Sequence, residues 1–573
     1  DDVPLRVVQI TAKEKTCPQT EMVCDAAVCP NAAGYYTRLS KALRALESCS
    51  IADRRMIESI AAENSLCPFE LSLDSAMTAD LVIGDYNYVF DPSVRLQRFA
   101  YQTQRSLLID EAHQLSNRVS DMLSIELRLS DVVAASDQAP SEITESLAKL
   151  RVTMESLRDS AQSWRGTQVA LSDTSALTTA LQEILLCCDM AMGATQPPAR
   201  SPKPQTYLLF EMVEEAPSIP QHQLARSSAE NASKLLPDNL LALYFTALRW
   251  LRSQKWTDEE HYCHVLEKPK FADKQHGLDA RTLVHSQNIS IHRRCLDSSA
   301  YARRIMEECR SVVRFSGTVS PLSLYQRLHG QAPTEQGVAE QTSMALRARA
   351  PFRSDQVKVL TVTDIDTLYQ RRLQSLPQLC GLIADLQRAR QGRYLVALPS
   401  YEYLDHLSRS PDKPANFIAQ SPAMDEDEQL ALLKQFQQSP AAVLGIVMGG
   451  VFAESVDLGT STVAGVVVVS LGLPPTNLIR SLSVDYFNGA HGIGWGEQIA
   501  YLQPAMTRVV QAAGRLIRGP RDKGVICLVD PRFADPTIAK FFPEHWQPEK
   551  MSANRVESCL KAFWSNDLSQ PED

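Results

Sequence analysis

Short runs that are almost wholly apolar punctuate the chain. Between them lie longer stretches in which apolar residues recur every three or four positions. Residues 394–398, 443–448, 463–470 and 525–529 are apolar nearly throughout. A strand with one face in water would alternate, so these runs predict parallel strands covered on both faces. Residues 5–10 and 107–109 read as further strands, the second of them buried. Residues 141–165 and 238–252 carry helical periodicity, and 196–204 and 214–222 are proline-rich connectors. Met424-Asp-Glu-Asp-Glu428 predicts a solvated helix start. Strands and helices alternating in this way predict an α/β protein.

A chain of 573 residues exceeds what one core holds, and three or four domains are expected. Hydrophobic content of 44% and charged content of 22% are ordinary for a folded protein. The longest apolar runs fall short of a membrane span, so no membrane partner is expected. The net charge of −9 requires any nucleic-acid surface to be a local basic groove. The first residue is Asp1, and a strand follows within a few residues. This reads as a chain whose beginning lies elsewhere.

Four of the 13 cysteines are grouped. Cys17, Cys24, Cys29 and Cys67 have the spacing C-x6-C-x4-C-x37-C, and Pro18, Pro30 and Pro68 each follow a cysteine. Zinc sites commonly use two tight C-x2-4-C pairs, which are absent here. The spacing favours an iron–sulfur cluster over zinc. The prolines fix chain direction and remove donors, which suits ligand loops better than a helix core.

Downstream, Leu107-Leu-Ile109 runs into Asp110-Glu111-Ala112-His113. Paired carboxylates at a strand end can hold Mg²⁺ and orient the water that attacks a nucleotide. The bland alternative, less favoured, is a helix start whose acids favour the dipole.

Further segments follow in a telling order: Arg314-Phe-Ser-Gly-Thr-Val-Ser-Pro321, Gly392-Arg-Tyr-Leu-Val-Ala-Leu-Pro-Ser-Tyr401, Gly449-Gly-Val-Phe-Ala-Glu-Ser-Val-Asp457 and Gln511-Ala-Ala-Gly-Arg-Leu-Ile-Arg518. With Thr11-Ala-Lys-Glu-Lys15, the cysteines, the segment from Gly84 to Pro92 and the Asp110 tetrapeptide, the set resembles the XPD/DinG family of superfamily-two helicases. Bacterial XPD-like members are the nearest in pattern. The four segments resemble helicase motifs III, IV, V and VI.

The resemblance implies two RecA-like motor domains, the first incomplete, with an iron–sulfur insertion and a helical Arch insertion. It implies residues 1–117 as the later part of the first motor domain, with the cluster inserted at about 14–70. The Arch follows at 118–285, the first domain returns at 286–350, and the second motor domain occupies 351–573. By residue, it implies a 4Fe–4S cluster on Cys17, Cys24, Cys29 and Cys67. It implies catalytic roles for Asp110, Glu111, His113, Gln511, Arg515 and Arg518, and contact with ATP and Mg²⁺ from Gly514, Glu454 and Asp457. Ser316, Gly317 and Thr318 would couple nucleotide state to DNA grip. The expected function is ATP-dependent 5′→3′ translocation and unwinding, in repair or replication, on single-stranded and forked duplex DNA. The expected location is cytoplasmic, with the nucleoid.

Two departures stand out. No Gly-x-x-x-x-Gly-Lys-Ser/Thr loop occurs in the chain, so nothing here cradles the β- and γ-phosphates. The chain is expected to begin downstream of that loop and to be a poor ATPase alone. Ser455 stands where the family usually has glycine. The rival reading is a non-enzymatic single-stranded DNA-binding iron–sulfur protein, and a third is a purely structural metal protein.

Overall fold

The computed structural model describes residues 5–22, 24, 26–100, 104–160, 166–192, 236–268, 289–330, 344–348, 353–454, 463–517 and 522–565. The proline-rich connectors, the 285/286 boundary, Ser455, Asp457 and Arg518 lie outside them. No described helix is long and apolar enough to cross a membrane. The chain forms two compact units: residues 1–108 with 114–313, and residues 109–113 with 314–573.

In the first unit, β1 (Val7–Gln9), β2 (Ile51–Ala52) and β3 (Leu81–Ile83) form a parallel sheet in the order β2-β1-β3. The helices Tyr35–Glu47, Arg54–Glu63 and Pro68–Ser75 bury Ala42, Leu46, Ile57, Ala61 and Leu71 in one core with Val8 and Ile10. β4 (Ser106–Ile109) precedes the acidic tetrapeptide. Its burial differs from the sequence expectation: Ile109 is buried, but Leu108 is 58% exposed. The cause is pairing, because β4 has a single described neighbour, introduced below.

The insertion is not wholly helical as expected. The helices Ser141–Ser160, Ser175–Ala191 and Asp238–Trp256 are present. They share a core with strands β5 (Ile125–Arg128), β6 (Gln168–Leu171), β7 (Tyr262–Glu267) and β8 (Ser290–Cys295). These strands form an antiparallel sheet in the order β5-β8-β7-β6. β8 alternates buried and half-buried residues, as a sheet with one covered face requires. At its centre Arg293 makes paired bonds to Glu259 (2.7 and 2.6 Å) and lies 4.1 Å over the Tyr262 ring. A buried guanidinium needs that pairing. β9 (Ser311–Arg314) then pairs with β4.

The second unit is built on seven parallel strands. They are β10 (Val357–Val362), β11 (Tyr394–Leu398), β12 (Phe417–Ala419), β13 (Val443–Val447), β14 (Gly465–Val469), β15 (Gly524–Val529) and β16 (Glu549–Met551), in the order β12-β13-β11-β14-β15-β10-β16. Every residue of β11, β13, β14 and β15 is buried, because helices cover both faces. Leu379, Ile383 and Leu404 pack on one face, and Phe487, Met506 and Val509 on the other. Asp425 caps the helix Glu426–Gln438 and Glu428 returns the bond, a reciprocal cap that confirms the helix start. All strand carboxyl ends share one edge, where α/β sheets place their ligand-binding turns.

Candidate active site and metal centre

The acidic tetrapeptide belongs to the second unit. The Ala112 amide donates to the Phe315 carbonyl (3.1 Å), and the Phe315 amide donates to the Ile109 carbonyl (3.0 Å). Glu111 is held with φ of +47° and donates its amide to Asp110 Oδ1 at 2.7 Å. Such a φ is unusual for a side chain of this size, and it turns both carboxylates outward.

His113 is buried, and its two ring nitrogens join three motifs. Nδ1 lies 2.8 Å from both Ser316 Oγ and Thr318 Oγ1. Nε2 lies 3.2 Å from Gln511 Nε2. Ser316 in turn donates to Glu111 Oε2 at 3.2 Å. With the Gln511 amide donating to Nε2, the ring proton sits on Nδ1 and points at the hydroxyl pair. Burial is the largest influence on this imidazole and lowers its pKa, against the opposing charges of Glu111 and Asp110. Burial thus favours the neutral ring.

Arg515 donates Nε to the Ala453 carbonyl at 2.9 Å, tying motif VI to the helix Val451–Glu454 of motif V. Gly449 begins that turn with φ of +76°, and a Cβ there would stand 2.9 Å from Arg508 Nε. The turn therefore requires glycine. A cleft of about 450 Å³ is lined by Glu111, Gly317, Thr318, Ala453, Gln511, Gly514 and Arg515. Four sequence segments thus meet around one opening. The Glu454 side chain, Asp457 and Arg518 lie outside the described atoms.

Sequence reading missed His329. It is buried, its ring bonds the Ala112 backbone, and Nε2 has no partner. A lone histidine after an amphipathic helix carries no signal of that contact. Burial, with Arg314 nearby, pushes its pKa down to about 3. The unfolded chain binds this proton first, so the unit should be fully stabilised above about pH 6.5 and lose stability as pH falls toward about 3. Thermal melts at pH 7, 5 and 4 should show a shallower acid slope for His329→Leu than for the unsubstituted protein. Equal slopes would exclude His329 as a source.

In the first unit, Cys17 follows the short helix Lys13–Thr16 and Cys67 caps the helix Pro68–Ser75. Arg38 donates to the carbonyls of Pro30, Ala33 and Ser65, which ties the Cys29 turn to the approach to Cys67. Lys13 hydrogen-bonds Cys24 and lies within electrostatic reach of Cys67. The four thiols are free of disulfides and at least partly accessible. Among the described residues no three of their sulfurs lie within 4.8 Å of one another. Four free thiols on neighbouring loops are donors that either a zinc ion or an iron–sulfur cluster would accept. Lys13 and Arg38 were not singled out in the sequence, although Lys13 lies in the segment before the first cysteine.

The DEAD_2 family matches residues 5–132, and the helicase C-terminal domain family matches residues 383–549. The chain is 23% identical to a regulator of telomere elongation helicase 1 homolog of Caenorhabditis elegans, over 96% of this chain and 62% of the relative. It is also 23% identical to the general transcription and DNA repair factor IIH helicase subunit XPD of Dictyostelium discoideum, over 82% of this chain and 64% of the relative. The chain thus spans less than two thirds of the length of these relatives. A solved structure titled XPD_Helicase superposes with a TM-score of 0.52 at 16% identity, covering 96% of this chain and 86% of that one, which is a likeness of fold. The first match contains the acidic tetrapeptide and the second contains the Ala453 and Gln511–Arg515 segments, and with these relatives the two matches support an XPD/DinG-like helicase of superfamily two.

Proposed function

We propose that this protein works as an ATP-dependent 5′→3′ translocase and helicase on single-stranded and forked DNA, with a 4Fe–4S cluster on Cys17, Cys24, Cys29 and Cys67. The observation that carries the reading is the cleft where Glu111, Thr318, Gln511 and Arg515 converge. Passive DNA binding needs no carboxylate hydrogen-bonded through a serine and a buried histidine to a distant glutamine. In this reading Asp110 would hold Mg²⁺ and Glu111 would accept the proton of the attacking water. Arg515, Gly514 and the motif VI residue Arg518 would contact the triphosphate, and Glu454 and Asp457 of motif V would contribute to the same binding. Ser316, Gly317 and Thr318 pass the state of the cleft to His113 and on to Gln511. A bound cluster would supply a rigid cross-link for the loops that hold it.

These 573 residues contain no Gly-x-x-x-x-Gly-Lys-Ser/Thr loop, and the apolar side chains of Leu81, Val82, Ile83, Leu108 and Val313 are exposed. The absent loop also keeps a second reading in play, in which the chain holds single strands without hydrolysis.

The two readings separate on one measurement. The protein extended upstream should show ATPase stimulated by single-stranded DNA and should unwind a 5′-tailed duplex in preference to a 3′-tailed one. An extended protein that binds DNA without hydrolysing ATP would favour the second reading. Both readings expect single-strand affinity that falls with salt, with a logarithmic slope of about −0.7 per phosphate contact. Titration at several salt concentrations checks this, and a flat response would exclude a phosphate-tracking groove.

A further inference from the structure

After β10 the chain makes a tight turn over residues 363–375 at the carboxyl edge of the parallel sheet. The turn is pinned at several points. Leu368 donates its amide to Asp366 Oδ1 (3.0 Å), its carbonyl accepts from the Arg371 and Arg372 amides, and Thr367 bonds buried Asp530. Arg372 is only 6% exposed and donates to Glu402 at 2.6 Å. Glu402 lies in the helix Tyr401–Arg409, which follows β11 at the same edge. The Arg372 guanidinium is sandwiched between two rings, 5.1 Å from the Tyr403 centroid and 4.3 Å from that of Tyr369.

Tyr403 is buried, but Tyr369 is 71% exposed. One face of its ring rests on a fixed cation and the rest is open to solvent. An aromatic ring on the surface usually moves through several rotamers. A guanidinium held by a carboxylate and a second ring prevents that, so the ring is ordered before any ligand arrives.

We infer that Tyr369 is a stacking platform for one unpaired base of the bound single strand. The inference rests on the proposed reading of the protein as a single-strand tracker. The occupant is argued from shape and place. The open surface is one flat ring of the size of a base, at the sheet edge where ligand-binding turns collect, and base–aromatic stacking is indifferent to sequence. Exposed Arg371, two residues on, is available for a neighbouring phosphate beside its contact with Asp366.

The test measures binding of the whole chain to an oligothymidine strand and to a fully abasic strand of the same length. Tyr369→Ala and Tyr369→Leu should weaken oligothymidine binding about tenfold, and Tyr369→Phe should stay within about twofold. Leucine still covers Arg372 but offers no π face, so it separates stacking from support of the turn. All four proteins should bind the abasic strand equally. Equal loss on both strands, or a leucine variant that binds like the unsubstituted chain, would overturn the platform. So would variants that change self-association and leave DNA binding untouched, which would make the patch a protein contact. Failure of the unsubstituted chain to bind single strands would instead sink the functional reading beneath it.

Discussion

Glu111→Gln, in a protein carrying its phosphate-binding loop, is expected to lower DNA-stimulated ATP hydrolysis by about 10²–10⁴-fold while ATP binding survives. The amide has the shape of the carboxylate and can still accept from Ser316, whose hydroxyl reaches Oε2 at 3.2 Å in the native protein. It cannot accept the proton of an attacking water. The backbone at this position, with φ of +47°, is set by the bonds of Ala112 and Phe315 and should not change. Steady-state ATPase with a parallel nucleotide-binding measurement checks both halves. Hydrolysis within a few-fold of the native rate would remove Glu111 from the reaction. Loss of nucleotide binding would mean that the substitution had disturbed the cleft.

Cys29→Ser should leave the protein, purified without oxygen, nearly devoid of iron and acid-labile sulfide. The native protein should contain both and be brown. The effect is large because a cluster lacking one thiolate is open to loss. It is also local. The cysteine loops are tied to the first unit through Arg38 and Lys13, whereas the seven-stranded sheet has its own cores. Limited proteolysis should therefore gain cuts within residues 14–70 and spare the second unit. Unchanged iron would refute the ligand assignment, as would stoichiometric zinc in the native protein.

The buried parallel sheet was legible in the sequence because burial on both faces leaves no polar alternation. The apolar runs at 394–398, 443–448, 463–470 and 525–529 correspond to β11, β13, β14 and β15. The same logic misjudged Leu107-Leu-Ile109. Apolar composition reports what a strand can bury, not whether a neighbour is there to bury it, and Leu108 stands exposed. The antiparallel sheet of the insertion was missed because its strands carry no continuous apolar run: His264 and Glu267 interrupt β7, and His292, Arg293 and Arg294 interrupt β8. Helical periodicity dominates the sequence around them.

Of the candidate site, Glu111, Thr318, Gln511, Gly514 and Arg515 do meet, and motif order was enough to name them. The Ala453 carbonyl and His329 were illegible. A carbonyl acceptor leaves no trace in residue type, and the ring of His329 contacts Ala112 only through the folded backbone.

The His113–Gln511 bond joins positions 398 residues apart in the chain. Contacts of such long range form late, since intervening chain must first be ordered. At ribosomal rates of roughly 5–20 residues per second, about 20–80 s separate the synthesis of these 398 residues' two ends. Throughout that interval the acidic tetrapeptide has emerged and its glutamine partner has not. The cleft is thus expected to be complete only after the last turn of motif VI leaves the ribosome, which leaves a nascent chain with a first unit but an unfinished cleft.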